Sequence, residues 1–526
     1  MISLDNARER LGNFYKFEIL CSTAIALLFI AICSSSMLNM TLTTDESAYF
    51  DVGKKALLGD FHIADMQRTP ITIINAIFSN ALHINIMDGR LSNFIVRFPT
   101  VLAGALLGFY VMIWSRSMYG TAGMFLSLVL YAFCPNIIAH TRLVTTDIYC
   151  ALFIFMSIYH FTRYMRTGRK TDYLSLVFAC GLAIVSKQTS LLLLVIIPAI
   201  AALYIFYDNT LKTRCSPLRI LLAFAGILFT INIIYGFYFY SLDISRLSPN
   251  LPLSRLYLPL PQVFVDEFKL GIEYNRNGWA TYLLGRYSTT GWWYYFPVIF
   301  ILKMPLSFLV ILSIALFTYK YAYKSLLIDE VAIIVAMLAI FIFYAFLCNV
   351  QIGIRYILPI FPFIFTLTGR AGLFFTMKNS LPIKMAITIL AFCYVISSMS
   401  YYPHFIQYGN ELLTNRLNLY KYFADSNLDW GQSDYYLDQY VANMLAKNCT
   451  VHVNPEEPVS GIVAVNATAY LGVSNSMRRR YTWLKGFKPI DQVAYNWLIF
   501  DTTSLDLKTL DTSSKVSDHT TSTLAN

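Results

Sequence analysis

The sequence predicts an α-helical polytopic membrane protein with a small C-terminal α/β domain, and three observations carry that prediction. Apolar runs of about 20 residues, enough to cross a hydrocarbon layer of about 30 Å as a helix, recur through most of the chain. Only 13% of the 526 residues are charged, against about 25% in an ordinary soluble domain. The lysines and arginines that do occur are sorted onto alternate connections between the runs.

About 11 transmembrane helices are expected, near 17–39, 94–114, 121–140, 147–164, 171–186, 189–207, 219–240, 295–319, 330–348, 354–370 and 384–402. The first run is too long, and too poorly followed by small residues, for a cleaved signal peptide, so it is expected to stay as an anchor. Together these form a membrane domain over 1–402, interrupted by hydrophilic stretches at 41–93 and 241–293. A soluble domain is expected over 403–505, from β-prone runs such as "GIVAVNATAYL", and a disordered tail over 506–526.

One set of connections carries Arg116, Arg163, Arg166, Arg169, Lys170, Lys320, Lys324 and Arg370, while the opposite set carries only Arg142, Lys187 and Arg355. The positive-inside bias makes the first set cytoplasmic. The N-terminus is then cytoplasmic, and 41–93, 241–293 and the C-terminal domain face the periplasm or a lumen; the expected location is a bacterial inner (plasma) membrane.

In the first exported stretch, "ESAYFDVGKKALL" and "PITIINAIFSNAL" repeat apolar residues at helical spacing, which predicts short interfacial helices, the second opened by Pro70. The cluster Trp292, Trp293, Tyr294 and Tyr295 reads equally as an interfacial aromatic belt or as a cavity wall. Seven of the nine cysteines lie in expected spans and only Cys449 in an exported region, so no disulfide framework or zinc spacing is available there. The net charge of +10 is accounted for by the cytoplasmic connections, and nucleic acid is excluded as a partner.

Ionisable groups at membrane depth are costly, and those that persist point to function. Asp45 and Glu46 follow the first span at once; Asp147 opens the fourth; each could also be a helix cap. Lys187 and Arg355 are lone cations at exported turns, where they either snorkel to lipid phosphate or hold an anionic substrate. Lys303 lies about 12 Å inside its helix and needs either an internal acid or an anion. Carboxylates beside cations at this depth suit a polyprenyl phosphate sugar: the cations stabilise the leaving phosphate, and a carboxylate takes the acceptor's proton.

The order of "DESAY", "RFPTVLAGALLGFY", "PNIIAHTRLVTTD", "GLAIVSKQTSLLLL", "YLLGRYSTTGWWYYFPVIFILKMPL", "RYILPIFPF" and "PHFIQYGNEL" leading to "DSNLDWGQ" resembles the GT-C glycosyltransferases, in the group of protein O-mannosyltransferases and lipid A aminoarabinose transferases. The resemblance runs over most of residues 10–435. It implies the GT-C fold, with interfacial helices in the first exported loop, and a polyprenyl phosphate sugar as donor. It places Asp45 as the leading acid with Glu46 as partner, Asp147 as the second acid, Tyr49 on the cavity wall, and Lys187 and Arg68 at the donor phosphate. Gln67 stands where one branch has the Glu of a metal site, and Thr69 where the first proline is usual.

The combined expectation is an inverting glycosyltransferase that moves one sugar from a polyprenyl phosphate donor to a protein, lipid or glycan acceptor on the periplasmic side. Asp45 is the expected base, Asp147 and Glu46 orient the acceptor, and Tyr49, Arg68, Lys187, Lys303 and Arg355, with Lys54 and Lys55, bind the donor. The sequence assigns no cofactor, and a divalent metal ion stays an open alternative. The competing class is a transporter or flippase of lipid-linked sugars, which calls for paired broken helices in two halves. For "DSNLDWGQ", a structural turn and an acceptor surface are both open.

Overall fold

The structure, a computed structural model, describes residues 2–60, 69–84, 86, 89–237, 239–243, 255–318, 324–378, 380–473 and 480–505. Its membrane part runs α1 (Ile2–Met37), α2 (Glu46–Leu57), α3 (Ile73–Ala81), α4 (Arg90–Ala132), α5 (Pro135–Thr141), α6 (Asp147–Thr167), α7 (Lys170–Ser186), α8 (Leu193–Tyr207) and α9 (Pro217–Ile234). After β1 (Phe239–Asp243), β2 (Arg255–Pro261), α10 (Gln262–Asn277), β3 (Thr281–Leu283) and β4 (Arg286–Ser288) come α11 (Tyr295–Lys303), α12 (Leu306–Phe317), α13 (Lys324–Ile342), α14 (Phe361–Thr368) and α15 (Leu381–Met399).

Among the described residues, seven helices are long and apolar enough to cross a membrane, or eight if the bent pair α11 and α12 is one span. Each stretch expected to span is helical over most of its length. Leu20, Phe206 and Phe317 are exposed, a liability in water and ordinary against lipid; the chain is an integral membrane protein. The second and third expected spans are two helices joined at Gly120, whose φ of 70° is not helical, so the chain folds back there and the Tyr131 hydroxyl donates to the Gly104 carbonyl. Two spans differ from expectation. α9 stops at Ile234, and strand β1 begins within what reads as the same apolar run. Between α11 and α12 the chain turns by 110° at Pro305, which has no N–H to continue the helix.

As expected, the first loop holds two short helices, α2 and α3, with Pro70 opening a turn of 3₁₀ helix before α3. They pack closely where Gly53 meets the Thr72 carbonyl, a contact that leaves no room for a Cβ. At the helix ends away from Asp45, buried acids take up the arginines: Glu18 with Arg116 at 2.7 Å, Asp329 with Arg166 at 2.9 Å, and Glu330 with Arg370 at 2.8 Å.

The C-terminal region holds α16 (Asp434–Leu445), β5 (Val451–Val453), β6 (Ile462–Asn466), α17 (Ala467–Leu471), β7 (Asp491–Val493) and β8 (Trp497–Asp501). Its four-stranded sheet has the order β5-β6-β8-β7, with β5 parallel to β6 and the other pairs antiparallel. Val463, Val465, Leu498 and Phe500 are fully buried. Residues 506–526, expected to be a disordered tail, lie outside the described residues.

Candidate active site

The two adjacent acids of "TTDES" part company at the start of α2. Successive helical residues differ by about 100° in direction, so Glu46 turns inward and Asp45 does not. Glu46 is fully buried. Its Oε1 accepts from Arg97 Nε at 2.8 Å and from the Val144 N–H at 2.9 Å. Its Oε2 accepts from Arg97 Nη2 at 2.7 Å and from the Thr43 N–H at 2.8 Å. Arg97 spends its remaining donors on the carbonyls of Met40 and Thr41. This bidentate pair, with every polar atom engaged, fixes the loop before α2 against α4 and the 143–146 turn. It leaves Glu46 no free lone pair for an acceptor, so the geometry makes it a positioning group instead of an acceptor-orienting one.

Asp45 keeps about a quarter of its side chain exposed, and its Oδ2 lies 3.1 Å from Arg355 Nη1. The same Arg355 nitrogen is 4.0 Å from Asp147 Oδ2. Asp147 Oδ1 in turn accepts from Lys187 Nζ at 2.8 Å. Acid and base thus alternate across loops that are more than 300 residues apart in sequence. Neither Asp45 at the start of α2 nor Thr146 at the start of α6 makes a side-chain cap. Lys187 Nζ sits 4.6 Å over the Tyr356 ring, and the Arg355 guanidinium 4.2 Å over the indole of Trp430.

The other expected residues divide. Tyr49 lies on α2 within electrostatic reach of Arg355. Lys54 and Lys55 are half-buried in the last turn of α2, about 13 Å along its axis from Asp45. Arg68 and Gln67 lie outside the described residues. Lys303 is placed elsewhere: buried at 1% exposure, it donates to the carbonyls of Ile406 and Asn427 and faces the Phe423 ring, so it fastens the C-terminal region to α11. Of the aromatic cluster, Trp293 is exposed beside Phe346, whereas Tyr295 is buried and its hydroxyl accepts from Asn427 Nδ2. Belt and interior wall are both present, divided along the cluster.

The segment "DSNLDWGQ" closes the site from the C-terminal side. Thr44 N–H donates to the Trp430 carbonyl at 3.1 Å and Thr41 N–H to that of Gln432 at 3.2 Å. Ser426 Oγ donates to the Ile352 carbonyl, and Asn427 Oδ1 accepts from the Ile354 N–H. Burial pushes the Asp425 carboxyl up to about 6, opposed by the Ser426 N–H and by Arg355. Among the described residues, no group of His, Cys, Asp or Glu is spaced to hold a metal ion. Sequence reading missed Arg97, which had a signal, being an arginine inside a predicted span. It singled out the segment of Trp430 but not its partner, because Arg355 is distant in sequence.

Residues 77–235 match the family described as dolichyl-phosphate-mannose-protein mannosyltransferase. No curated protein matches the chain. Among solved structures, apo ArnT from Cupriavidus metallidurans is 13% identical with a TM-score of 0.50, over 92% of this chain and 97% of that one. ArnT from the same organism bound to undecaprenyl phosphate is 12% identical with a TM-score of 0.48 over the same shares. The archaeal oligosaccharyltransferase AglB from Archaeoglobus fulgidus, in complex with an inhibitory peptide and a dolichol-phosphate, is 12% identical with a TM-score of 0.46, over 81% of this chain and 60% of that one. The chain therefore has the GT-C fold of ArnT, and in 77–235 it resembles the dolichyl-phosphate-mannose-protein mannosyltransferases.

Proposed function

We propose that the protein is an inverting glycosyltransferase that moves one sugar from a polyprenyl phosphate donor to an acceptor on the periplasmic face of a bacterial inner membrane. The observation that carries this reading is Arg355, held between Asp45 and Asp147 with Lys187 behind. A donor phosphate at Arg355 and Lys187 meets two charged donor groups, and these stabilise the charge that grows as the anomeric C–O bond breaks. Asp45, the more open of the two carboxylates, takes the acceptor's proton as its oxygen or nitrogen attacks the anomeric carbon from the far side. Asp147 orients Lys187 and Arg355, and Glu46 with Arg97 fixes the loop that presents Asp45.

An apolar groove of about 310 Å³ supports a lipid carrier. It is lined by Phe300, Met337, Phe341, Ile357, Phe361 and Ile364, and Ile357 lies two residues beyond Arg355. An isoprenoid tail there leaves its phosphate at the cations. The family description at 77–235 names a phosphate-linked sugar lipid, which supports the same donor class. A transporter would need paired broken helices, and among the described residues one helix pair is bent.

The test is mass spectrometry of glycans, lipids and exported proteins from cells lacking the protein and from the same cells complemented with wild type or Asp45→Asn. One glycoform is expected to vanish in the deletion, return with wild type and stay absent with the variant. Return of the product with Asp45→Asn overturns the assigned mechanism.

A further inference from the structure

Of the described residues, the membrane domain brings Asp45 and the more buried Asp147 to the site, and Asp45 is already paired with Arg355. A further carboxylate, from the C-terminal region, lies within electrostatic reach of both Asp45 and Arg355. Asp425 lies in "DSNLDWGQ", whose neighbouring residues are bolted to both sides of Arg355. Ser426 Oγ donates to the Ile352 carbonyl at 2.6 Å, and the Ile354 N–H donates to Asn427 Oδ1 at 2.9 Å. A Cβ on the intervening Gly353 would overlap the Ser426 hydroxyl, so the strands of chain touch there. On the other side, Trp430 lies under the guanidinium, and its carbonyl holds the N–H of Thr44, the residue before Asp45.

Asp425 itself is held at φ 53°, in the left-handed region that side chains other than glycine seldom occupy. Residues kept in such a conformation by their surroundings cluster at working sites. Arg355 Nε, also buried, has no hydrogen-bond partner among the described residues. A buried donor left open within electrostatic reach of a held carboxylate calls for a ligand that brings an acceptor.

We propose that Asp425 is an acceptor-binding residue of the transfer site: its carboxylate accepts a hydrogen bond from a hydroxyl of the incoming acceptor and holds the acceptor for Asp45. This rests on the transferase reading above and adds that the C-terminal region builds the acceptor half of the site. The acceptor is then hydroxyl-bearing, a glycan, a lipid headgroup or a Ser/Thr peptide. The bond made is acceptor oxygen to anomeric carbon. The bond broken is anomeric carbon to phosphate oxygen, whose electron pair leaves with the polyprenyl phosphate, and the acceptor proton passes to Asp45.

The charged and titratable groups facing Asp425 are Arg355, Asp45, Asp429 and Tyr295. With its carboxyl pushed up to about 6, Asp425 gains its proton across the mildly acidic range and loses hydrogen-bond accepting strength there. Transfer limited by acceptor therefore falls as pH drops from 7.5 to 5.5.

Asp425→Asn keeps the side-chain shape and tolerates the positive φ. The experiment uses the full-length protein in membranes, with the cells' own sugar lipid as donor and graded amounts of membrane extract from deletion cells as acceptor source. Relative to wild type, Asp425→Asn is expected to lower transfer at limiting acceptor at least tenfold, to lose the fall between pH 7.5 and 5.5, and to leave undecaprenyl phosphate binding and the thermal midpoint unchanged. Wild-type transfer with an unaltered pH profile in Asp425→Asn, while Asp45→Asn is inactive, overturns the role of Asp425 alone. Transfer by Asp45→Asn overturns the reading on which it rests. Loss of undecaprenyl phosphate binding in Asp425→Asn makes the residue part of the donor side and also overturns the proposal.

Discussion

Glu46 and Arg97 form a bidentate ion pair in which neither side chain has any solvent exposure. It lies one residue from Asp45, so a fully buried pair is the direct support of the more open of the site's two carboxylates, Asp45 and Asp147. Removing one partner of such a pair leaves an uncompensated buried charge, at a cost of about 3–5 kcal/mol. Arg97→Met and Glu46→Gln should therefore each lower the thermal midpoint in detergent, by more than Asp45→Asn does. A Glu46→Gln protein as stable as wild type would contradict this supporting role.

The cations at Arg355 and Lys187 are assigned to the donor phosphate. A hydrogen bond to a charged group contributes about 1.5–3 kcal/mol, which is about a 10- to 100-fold change in affinity. Arg355→Gln and Lys187→Gln should weaken undecaprenyl phosphate binding by that factor, read from ligand-dependent thermal shifts. Undecaprenol, which lacks the anion, should bind wild type and variants alike. Equal weakening for both ligands would show that the tail, and not the phosphate, is what these variants disturb.

Lys303 makes the opposite prediction. Its ammonium is spent on the carbonyls of Ile406 and Asn427, so Lys303→Met strips two buried acceptors of their donor, at about 1–3 kcal/mol each. The variant should lose stability and loosen 404–430 in hydrogen exchange, while its affinity for undecaprenyl phosphate stays that of wild type. Weakened lipid binding in a fully stable variant would return Lys303 to the donor site.

Glu267 on α10 is buried, with Tyr235 donating to its Oε2 at 3.2 Å and with Oε1 unpartnered among the described residues. Burial pushes its carboxyl up to about 8. The folded state therefore holds the proton more tightly than the unfolded state, and stability falls as pH rises from about 5 to 8 and levels off above. Glu267→Gln should flatten that part of the profile, measured as thermal midpoint against pH. An unchanged slope would remove Glu267 as its source.

Much of the fold was legible, because apolar runs and sorted charges report a membrane bundle directly. The meeting of Asp45, Asp147, Lys187 and Arg355 in one candidate site was legible for a related reason: they are isolated charges at the ends of apolar runs, where each has to be explained. What stayed hidden depends on direction and on backbone partners. Asp45 and Glu46 are neighbours in sequence but diverge on the helix. Lys303 finds backbone carbonyls, which every residue carries and no sequence pattern marks. Asp425 and Trp430 reach Arg355 only through the fold of the C-terminal region.

The central claim is that Asp45 takes the acceptor's proton while the cations hold the donor's phosphate. Its most direct measurement is sugar transfer by purified, membrane-reconstituted Asp45→Asn beside wild type, with undecaprenyl phosphate binding followed on the same samples. The account predicts transfer reduced at least a thousandfold, with lipid binding within a factor of a few of wild type. Turnover near the wild-type rate in a variant that still binds the lipid would contradict it.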